Sequence, residues 1–409
     1  MRAVLFTGGV ETLDYFSLQL EKAFLERGLK TYVLDLREAE AESRRLKKFI
    51  KTGETFVLTF NFEGLEREKG LYTLRDSYLW QQYRVPVYNI AVDHPLWYEN
   101  RFSDLLEDEE HHPGLLKYYH HFSIDRNHEA YLKSYYPEFQ SAGFLPLAGT
   151  GFQREEPMLP PGKRKKEIVL AGHYTELPYF EKSITAINEE YEAFYRGIIS
   201  DYIQHPNRTV EDIVLSAVRK ETKEEGRKPL RNVLYHMAFI DLYVRHFYRG
   251  LAVATLADAG LPVRVIGCGW EKLPLKHPGS LQISPKTNSV GVLNTLCESK
   301  IAFNVLPFFK DGAHDRVFNS ILCGAVVLSD PSKYLKEELP EGSGVCYYTL
   351  EELRDQKTEE LLSCADRLLS SDTLCQEILE RGIGIVRSRH TWDARSDRIL
   401  ESVKKELKK

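Results

Sequence analysis

Short apolar runs alternate with longer stretches of helical period along most of the chain. Arg2–Phe6 reads as a buried strand, Thr7-Gly8-Gly9 breaks it, and Leu13, Phe16, Leu20, Ala23 and Phe24 recur at the spacing of an amphipathic helix. Gly28 ends that helix, and Thr31–Leu36 is again β-branched and apolar. A strand–helix–strand unit of this kind predicts parallel strands joined by a crossover. Further strands are predicted at Phe56–Asn61, Val87–Val92, Tyr118–Ile124 and Ala142–Leu147. Together they make a doubly wound half over residues 1–155.

A polar, proline-rich stretch from Gly151 to Lys166 fits a linker better than a packed element. Beyond it a second strand series is predicted at Glu167–Gly172, Val263–Gly267, Leu281–Ser284, Ile301–Leu306, Ala325–Ser329 and Val345–Tyr348. A helical block at 185–259 separates the first two. It is split at Pro206–Thr209, with Thr209 as the cap of the helix that follows. The second domain therefore spans 165–390, and 391–409 forms a charged amphipathic terminal helix. The expected class is α/β, with two doubly wound Rossmann-like domains facing one interdomain cleft. Ligands are expected at the carboxyl ends of the strands.

The length of 409 residues suits more than one core. With 55 basic and 60 acidic residues the net charge is −5, which argues against a general nucleic-acid binder but allows a local basic pocket. No apolar run has the length of a membrane helix, and the first residues are too short and acidic for a signal peptide, so a cytoplasmic protein is expected. The six cysteines stand singly in the second half, without a CxxC pair; neither zinc nor redox use is expected of them.

Ile301–Asp330 carries the strongest chemical signal. A buried strand is followed by a loop with Asp311 and Gly312, a helix from about His314 to Cys323, then Gly324 and another buried strand. The N–H groups of Gly312, Ala313 and His314 at that helix start suit a phosphate, and Arg316 stands in its first turn. Asp311 is by spacing either a helix cap or a ligand contact. Asp93-His94-Pro95 follows a strand: His94 or Asp93 is placed to take a proton, or Asp93 caps a turn against which His94 packs. Gly8 and Gly9 either admit a ligand or form a plain turn. The run Glu107–His112, ahead of Pro113-Gly114, reads as a solvated loop rather than a metal site. His120 and His121 alternate across a strand and cannot face one ligand.

The Ile301–Asp330 stretch resembles the C-terminal domain signature of GT-B glycosyltransferases, especially the group-1 and spore-maturation CgeB-like families. Asp311 occupies the first acidic position of that signature, Asn319 the second, and Gly324 the glycine five residues on. The segments Val85–Tyr98, Tyr118–Pro137 with Phe144-Leu145-Pro146, Val265–Trp270 and Arg389–Leu400 are similar to other parts of the same family. The resemblance implies a GT-B fold whose terminal segment crosses back to the N-terminal domain. It implies a metal-independent glycosyltransferase using a nucleotide-sugar donor, UDP- or GDP-linked, with no further cofactor. The acceptor would be a glycan, protein or small molecule. It places Asp311 near the transferred sugar and Asn319 on the ribose. The basic pair that many group-1 enzymes carry after the first C-terminal strand is absent, and Gly172 and His173 stand there instead. Phosphate binding then falls to Gly312–His314, Arg316 or Lys286. A sugar-nucleotide epimerase, or a non-catalytic sugar-nucleotide-binding or coat-assembly protein, shares the same implied fold.

Overall fold

A computed structural model describes residues 1–73, 77–150, 158–221 and 226–408. The chain divides into two compact units, one made of residues 1–147 with 390–409, the other of 148–389.

The first unit holds six strands: β1 (Arg2–Thr7), β2 (Lys30–Asp35), β3 (Thr55–Phe60), β4 (Val87–Ala91), β5 (Tyr119–Ser123) and β6 (Gln140–Phe144). They form one parallel sheet in the order β2-β1-β3-β4-β5-β6. β3, β4 and β5 are buried along their whole length. That accounts for their unbroken apolar runs, because helices cover both faces of a parallel sheet. The order reverses between β1 and β3, so a crevice is expected beyond the carboxyl ends of those two strands.

The terminal helix Trp392–Glu406 packs in this unit. Trp392 lies 4.7 Å from the Phe16 ring and 5.9 Å from Phe60. Arg27 pairs with Asp393 and Asp397, and Arg395 donates to the carbonyls of Pro146 and Leu147. Trp392, the buried Ile399, Leu400 and Val403, and a set of polar ties thus fix a helix whose sequence is otherwise mostly charged.

The acidic run Glu107–His112 departs from the expected loop, since all but its last residue lies in the helix Glu99–His111. Phe102 and Leu105, upstream of the run, bury the helix, and Asp108 continues that face by pairing with Arg67 at 2.8 Å. Glu109 accepts from the N–H groups of Gly114 and Leu116 just beyond the helix end. The polar end hides a periodicity set one turn earlier.

The second unit holds β7 (Lys165–Ala171), β8 (Val263–Ile266), β9 (Leu281–Ser284), β10 (Ser299–Asn304), β11 (Val326–Ser329) and β12 (Val345–Tyr347). These too are all parallel, in the order β12-β11-β10-β7-β8-β9. Here the reversal falls between β7 and β10, the Rossmann arrangement with its crevice at their carboxyl ends. The helical block resolves into Glu189–Gln204, Val210–Glu221, Arg227–His236 and Ala238–Asp258, and Thr209 Oγ1 accepts from Asp212 N at the start of the second.

Of the expected linker, residues 151–157 lie outside the described residues. The remainder is packed rather than loose. Arg164, 5% exposed, donates to the carbonyls of Leu159, Leu296, Ser299 and Cys323. Two of these carbonyls lie at or near the ends of the helices Ser289–Glu298 and Asp315–Leu322, where main-chain acceptors have no helical partner. A charge run that reads as solvated contains the side chain that closes those ends.

Candidate functional site

In the second unit the chain leaves β7 through Gly172 and His173 and leaves β8 through Gly267, Cys268 and Gly269. The two turns lie against each other. Gly172 N donates to Ile266 O at 2.9 Å, and its carbonyl accepts from Trp270 Nε1 at 2.8 Å. Cys268 N donates to His173 Nδ1 at 3.0 Å. A Cβ on Gly267 would stand 2.3 Å from Gly172 O, and one on Gly269 2.0 Å from Tyr174 O; both glycines have positive φ. Only glycine permits this contact between the turns.

Over this turn pair lies the helix Ala238–Asp258. Its Arg249 donates to His173 O at 2.6 Å, and a Cβ on Gly172 would touch the guanidinium at 3.8 Å. Arg249 Nε makes no hydrogen bond among the described residues. Burial pulls the Arg249 pKa down to about 9, helped by the positive charges of Arg316 and Arg245 and opposed by Asp330. Burial, with Lys286 and Arg249 nearby, likewise lowers His173. One turn back on the helix, His246 is held down to about 3, chiefly by burial; its Nδ1 accepts from Thr175 N at 3.1 Å. It therefore serves as a neutral acceptor that fixes the turn.

Arg316 comes to the same place from the helix Asp315–Leu322 and donates to Asn304 Oδ1, at the end of β10, at 3.3 Å. Asp330, just past β11, accepts from Leu306 N at 2.8 Å, and burial pushes its carboxyl up to about 7. Asp330 is thus only partly ionised near neutral pH, so it offsets only part of the positive charge of Arg249 and Arg316 at the switch between β7 and β10. Arg245 is occupied elsewhere, paired with Asp241 and lying 3.7 Å over the Phe308 ring. Lys310 donates to the carbonyls of Pro206 and Pro307.

The structure therefore brings together Gly172, Lys286 and Arg316 of the expected phosphate residues and adds Arg249. The other members of that set are placed differently. Gly312 and Ala313 are buried, and the Gly312 carbonyl accepts from Ser332 Oγ. The helix cap is His314, whose Nδ1 accepts from Arg316 N; Asp311 stands 3.9 Å from Lys333. Asn319 uses both ends of its amide within the unit: Oδ1 accepts from Thr150 N at 2.6 Å, and Nδ2 donates to Asp315 at 2.9 Å. It ties the entry of the unit to the helix.

At the reversal in the first unit, Gly8 (φ 92°) and Gly9 follow β1, and Asn61, Phe62 and Glu63 follow β3. Asn61 and Phe62 both adopt positive φ, held by Asn61 Oδ1 accepting from Val92 N and Phe62 N donating to Asn89 Oδ1. That turn delivers Glu63 against the glycine pair, where a Cβ on Gly9 would meet Glu63 Oε1 at 2.2 Å. The carboxyl is 9% exposed, and its Oε2 has no hydrogen-bond partner among the described residues. Burial pushes it up to about 7. The N–H groups of Gly8 and Gly9 donate to Asp14. This loop is acidic, with its amides already used, and is unsuited to phosphate.

Asp93 and His94 follow β4 in the same unit. His94, 4% exposed, caps the turn Pro95–Tyr98 by accepting from Leu96 N at 3.1 Å, a role the sequence assigned to Asp93. Its ring packs at 4.6 Å from His128 and 4.9 Å from Tyr131.

Sequence reading missed Arg249 and Glu63. A signal for the first was present: Asp241, Arg245 and Arg249 recur at four-residue spacing in an otherwise apolar helix, and such a charged stripe is costly to bury without a purpose. For Glu63 no local signal existed, because its burial depends on β1 and β3 becoming neighbours.

Residues 245–401 match the family described as "Glycosyl transferase-like". None of the curated protein sequences matches the chain. Among solved structures, the fold is shared with a sucrose-phosphate synthase from Thermosynechococcus elongatus (TM-score 0.55, 10% identity, covering 100% of this chain and 99% of that one). It is shared equally with an α-glucosyltransferase in complex with UDP-glucose and DNA containing an abasic site (0.55, 12%, 100% and 99%). A glycosyltransferase from Rickettsia africae ESF-5 gives 0.51 at 9% identity, over 100% and 98%. The fold is GT-B. The family match covers residues 245–401, and the fold is one shared with glycosyltransferases of GT-B type.

Proposed function

We propose that the chain transfers a sugar from a UDP- or GDP-linked donor to a hydroxyl-bearing acceptor without a metal ion. The observation that carries this reading is the partly buried cation cluster at the switch between β7 and β10. As the sugar–phosphate bond breaks, negative charge collects on the departing diphosphate. Arg249 and Arg316, already desolvated and fixed by His173 O and Asn304, stabilise that charge with little reorganisation. Lys286 adds to the same field. These residues take the place of the basic pair that the turn after β7 lacks.

The acceptor binds in the first unit, where Glu63, Asp14 and Asp35 surround the glycine pair. Carboxyl groups accept from hydroxyls and repel phosphate. In an inverting reaction Glu63, rather than the packed His94, takes the acceptor proton; its raised pKa suits that task near neutrality. In a retaining reaction the departing phosphate oxygen takes it, and Glu63 binds the hydroxyl.

A thermal-shift panel of UDP- and GDP-linked sugars tests the donor site, since a ligand that binds the folded state raises its stability. At least one should raise the melting temperature, and Arg249→Gln should abolish the rise. No shift from any of them would sink the reading. Product analysis with and without acceptor pools separates transfer from epimerisation and from binding alone.

A further inference from the structure

Where the chain leaves β3, Asn61 (φ 48°) and Phe62 (φ 66°) stand one after the other in the left-handed region, which a bulky aromatic residue rarely adopts. The residues on either side are tied to the sheet: Asn61 N donates to Ile90 O at 3.1 Å, and Glu63 O accepts from Thr59 Oγ1 at 2.6 Å. At Phe62 itself the main-chain N–H is met by a side chain, Asn89 Oδ1 of β4, at 2.9 Å. Backbone of this kind persists where its surroundings hold it, and it gathers at functional sites.

Asn89 is in turn held from β5. Its Nδ2 donates to Tyr119 Oη at 3.1 Å, and Tyr119 Oη lies 3.0 Å from His121 Nδ1. Asn89 and His121 are paired across the two strands, and all three residues are at most 1% exposed. The polarity of this chain follows from its first member. A main-chain N–H can only donate, so Asn89 turns Oδ1 to Phe62 and Nδ2 to Tyr119, and Tyr119 keeps its own proton for His121 Nδ1. His121 completes the chain as a neutral acceptor, because burial pulls its pKa down to about 3.

We propose that Asn89 is a positioning residue for Glu63: oriented by Tyr119 and His121, its amide clamps Phe62 in the left-handed backbone that sets the Glu63 carboxyl against Gly9. This role rests on the reading of Glu63 as the group that meets the acceptor hydroxyl. Without the clamp Phe62 relaxes to negative φ, and the carboxyl leaves the pocket in which burial, with Asp14, Glu66 and Glu68, raises its pKa.

The test is a carbon NMR titration of the carboxyl-labelled full chain, with the Glu63 signal assigned by its loss in Glu63→Gln. The wild-type signal should titrate at about pH 7. Asn89→Leu, close in shape but without an acceptor, and Asn89→Ser, too short to reach Phe62 N, should each bring it towards 4.5. Tyr119→Phe removes a hydrogen bond from the same core but leaves Oδ1 on Phe62 N, with His121 Nδ1 at 3.5 Å to take the Nδ2 donor; there Glu63 should still titrate at about 7. If Asn89→Leu does not fold, Asn89→Ser decides. Asn89 variants that titrate like wild type overturn the assignment, as does a Tyr119→Phe signal that falls as far as theirs, or a wild-type signal already near 4.5. The titration needs neither donor nor acceptor. Normal product formation by Glu63→Gln, with a donor found in the thermal-shift panel, would therefore remove Glu63 from proton transfer while leaving Asn89 as the residue that holds its carboxyl.

Discussion

At the scale of single residues, buried charge has a different meaning at each position where it occurs. Arg249 is desolvated, with its guanidinium only partly hydrogen-bonded, whereas Arg164 spends its donors on four main-chain carbonyls. The first arrangement suits an incoming anion, and the second closes helix ends. Arg249→Ala and Arg316→Ala should each weaken nucleotide-sugar binding at least about tenfold, read by calorimetry, because each removes a charged hydrogen bond worth about 1.5–3 kcal/mol. Asn319→Ala should act on the fold instead. It strands Thr150 N–H and Asp315, and urea unfolding should show a loss of about 1–3 kcal/mol. Glu63 gives a pH signature. The folded chain keeps its proton up to about pH 7, whereas the unfolded chain releases it near 4.5. The stabilisation from this group is therefore complete below 4.5 and is lost as the pH rises towards 7. Glu63→Gln cannot release a proton, so its urea midpoint should fall less than that of wild type across the window; equal falls would remove the raised carboxyl from the account.

Among the elements, helices owe their placement to a few anchors more than to overall composition. The terminal helix is mostly charged, yet Trp392 seats it against Phe16 and Phe60 while Arg27 and Arg395 tie its first turns. Trp392→Ala should cost about 3–5 kcal/mol in the unit formed by residues 1–147 and 390–409, visible as an earlier denaturant transition. The helix Glu99–His111 shows the converse, since its acidic end conceals a buried face at Phe102, Leu105 and Asp108. Most strands were legible within one or two residues, and Leu281–Ser284 coincides with β9. Strand runs are short and apolar, and their signal is local. The sixth strand starts at Gln140 and ends at Phe144, earlier than the Ala142–Leu147 expected, because the apolar Leu145 and Leu147 extend that segment's pattern beyond the pairing.

For the whole molecule, the proposed reaction requires the donor's diphosphate charge to be met, and Arg249 and Arg316 are the side chains assigned to it. Among the described residues no group of three or more His, Cys, Asp or Glu is placed to hold a metal, and no helix is long and apolar enough to cross a membrane. If Arg249 and Arg316 meet that charge, chelation with EDTA should leave the donor-induced thermal shift unchanged, and a loss restored by manganese or magnesium would contradict their assigned role. The sequence by itself determined the two series of parallel strands, their crossovers and the segment Ile301–Asp330, since periodicity and turn residues act over a few positions. It also pointed to Gly172, Lys286 and Arg316. Only the tertiary structure decided that each sheet reverses at one place, between β1 and β3 and between β7 and β10. Those reversals bring Arg249 over Gly172 and Glu63 against Gly9. Desolvation, which lowers Arg249 and raises Glu63, depends on neighbours far along the chain; the charged stripe through Arg249 hints at it in the sequence, and Glu63 carries no local mark of it.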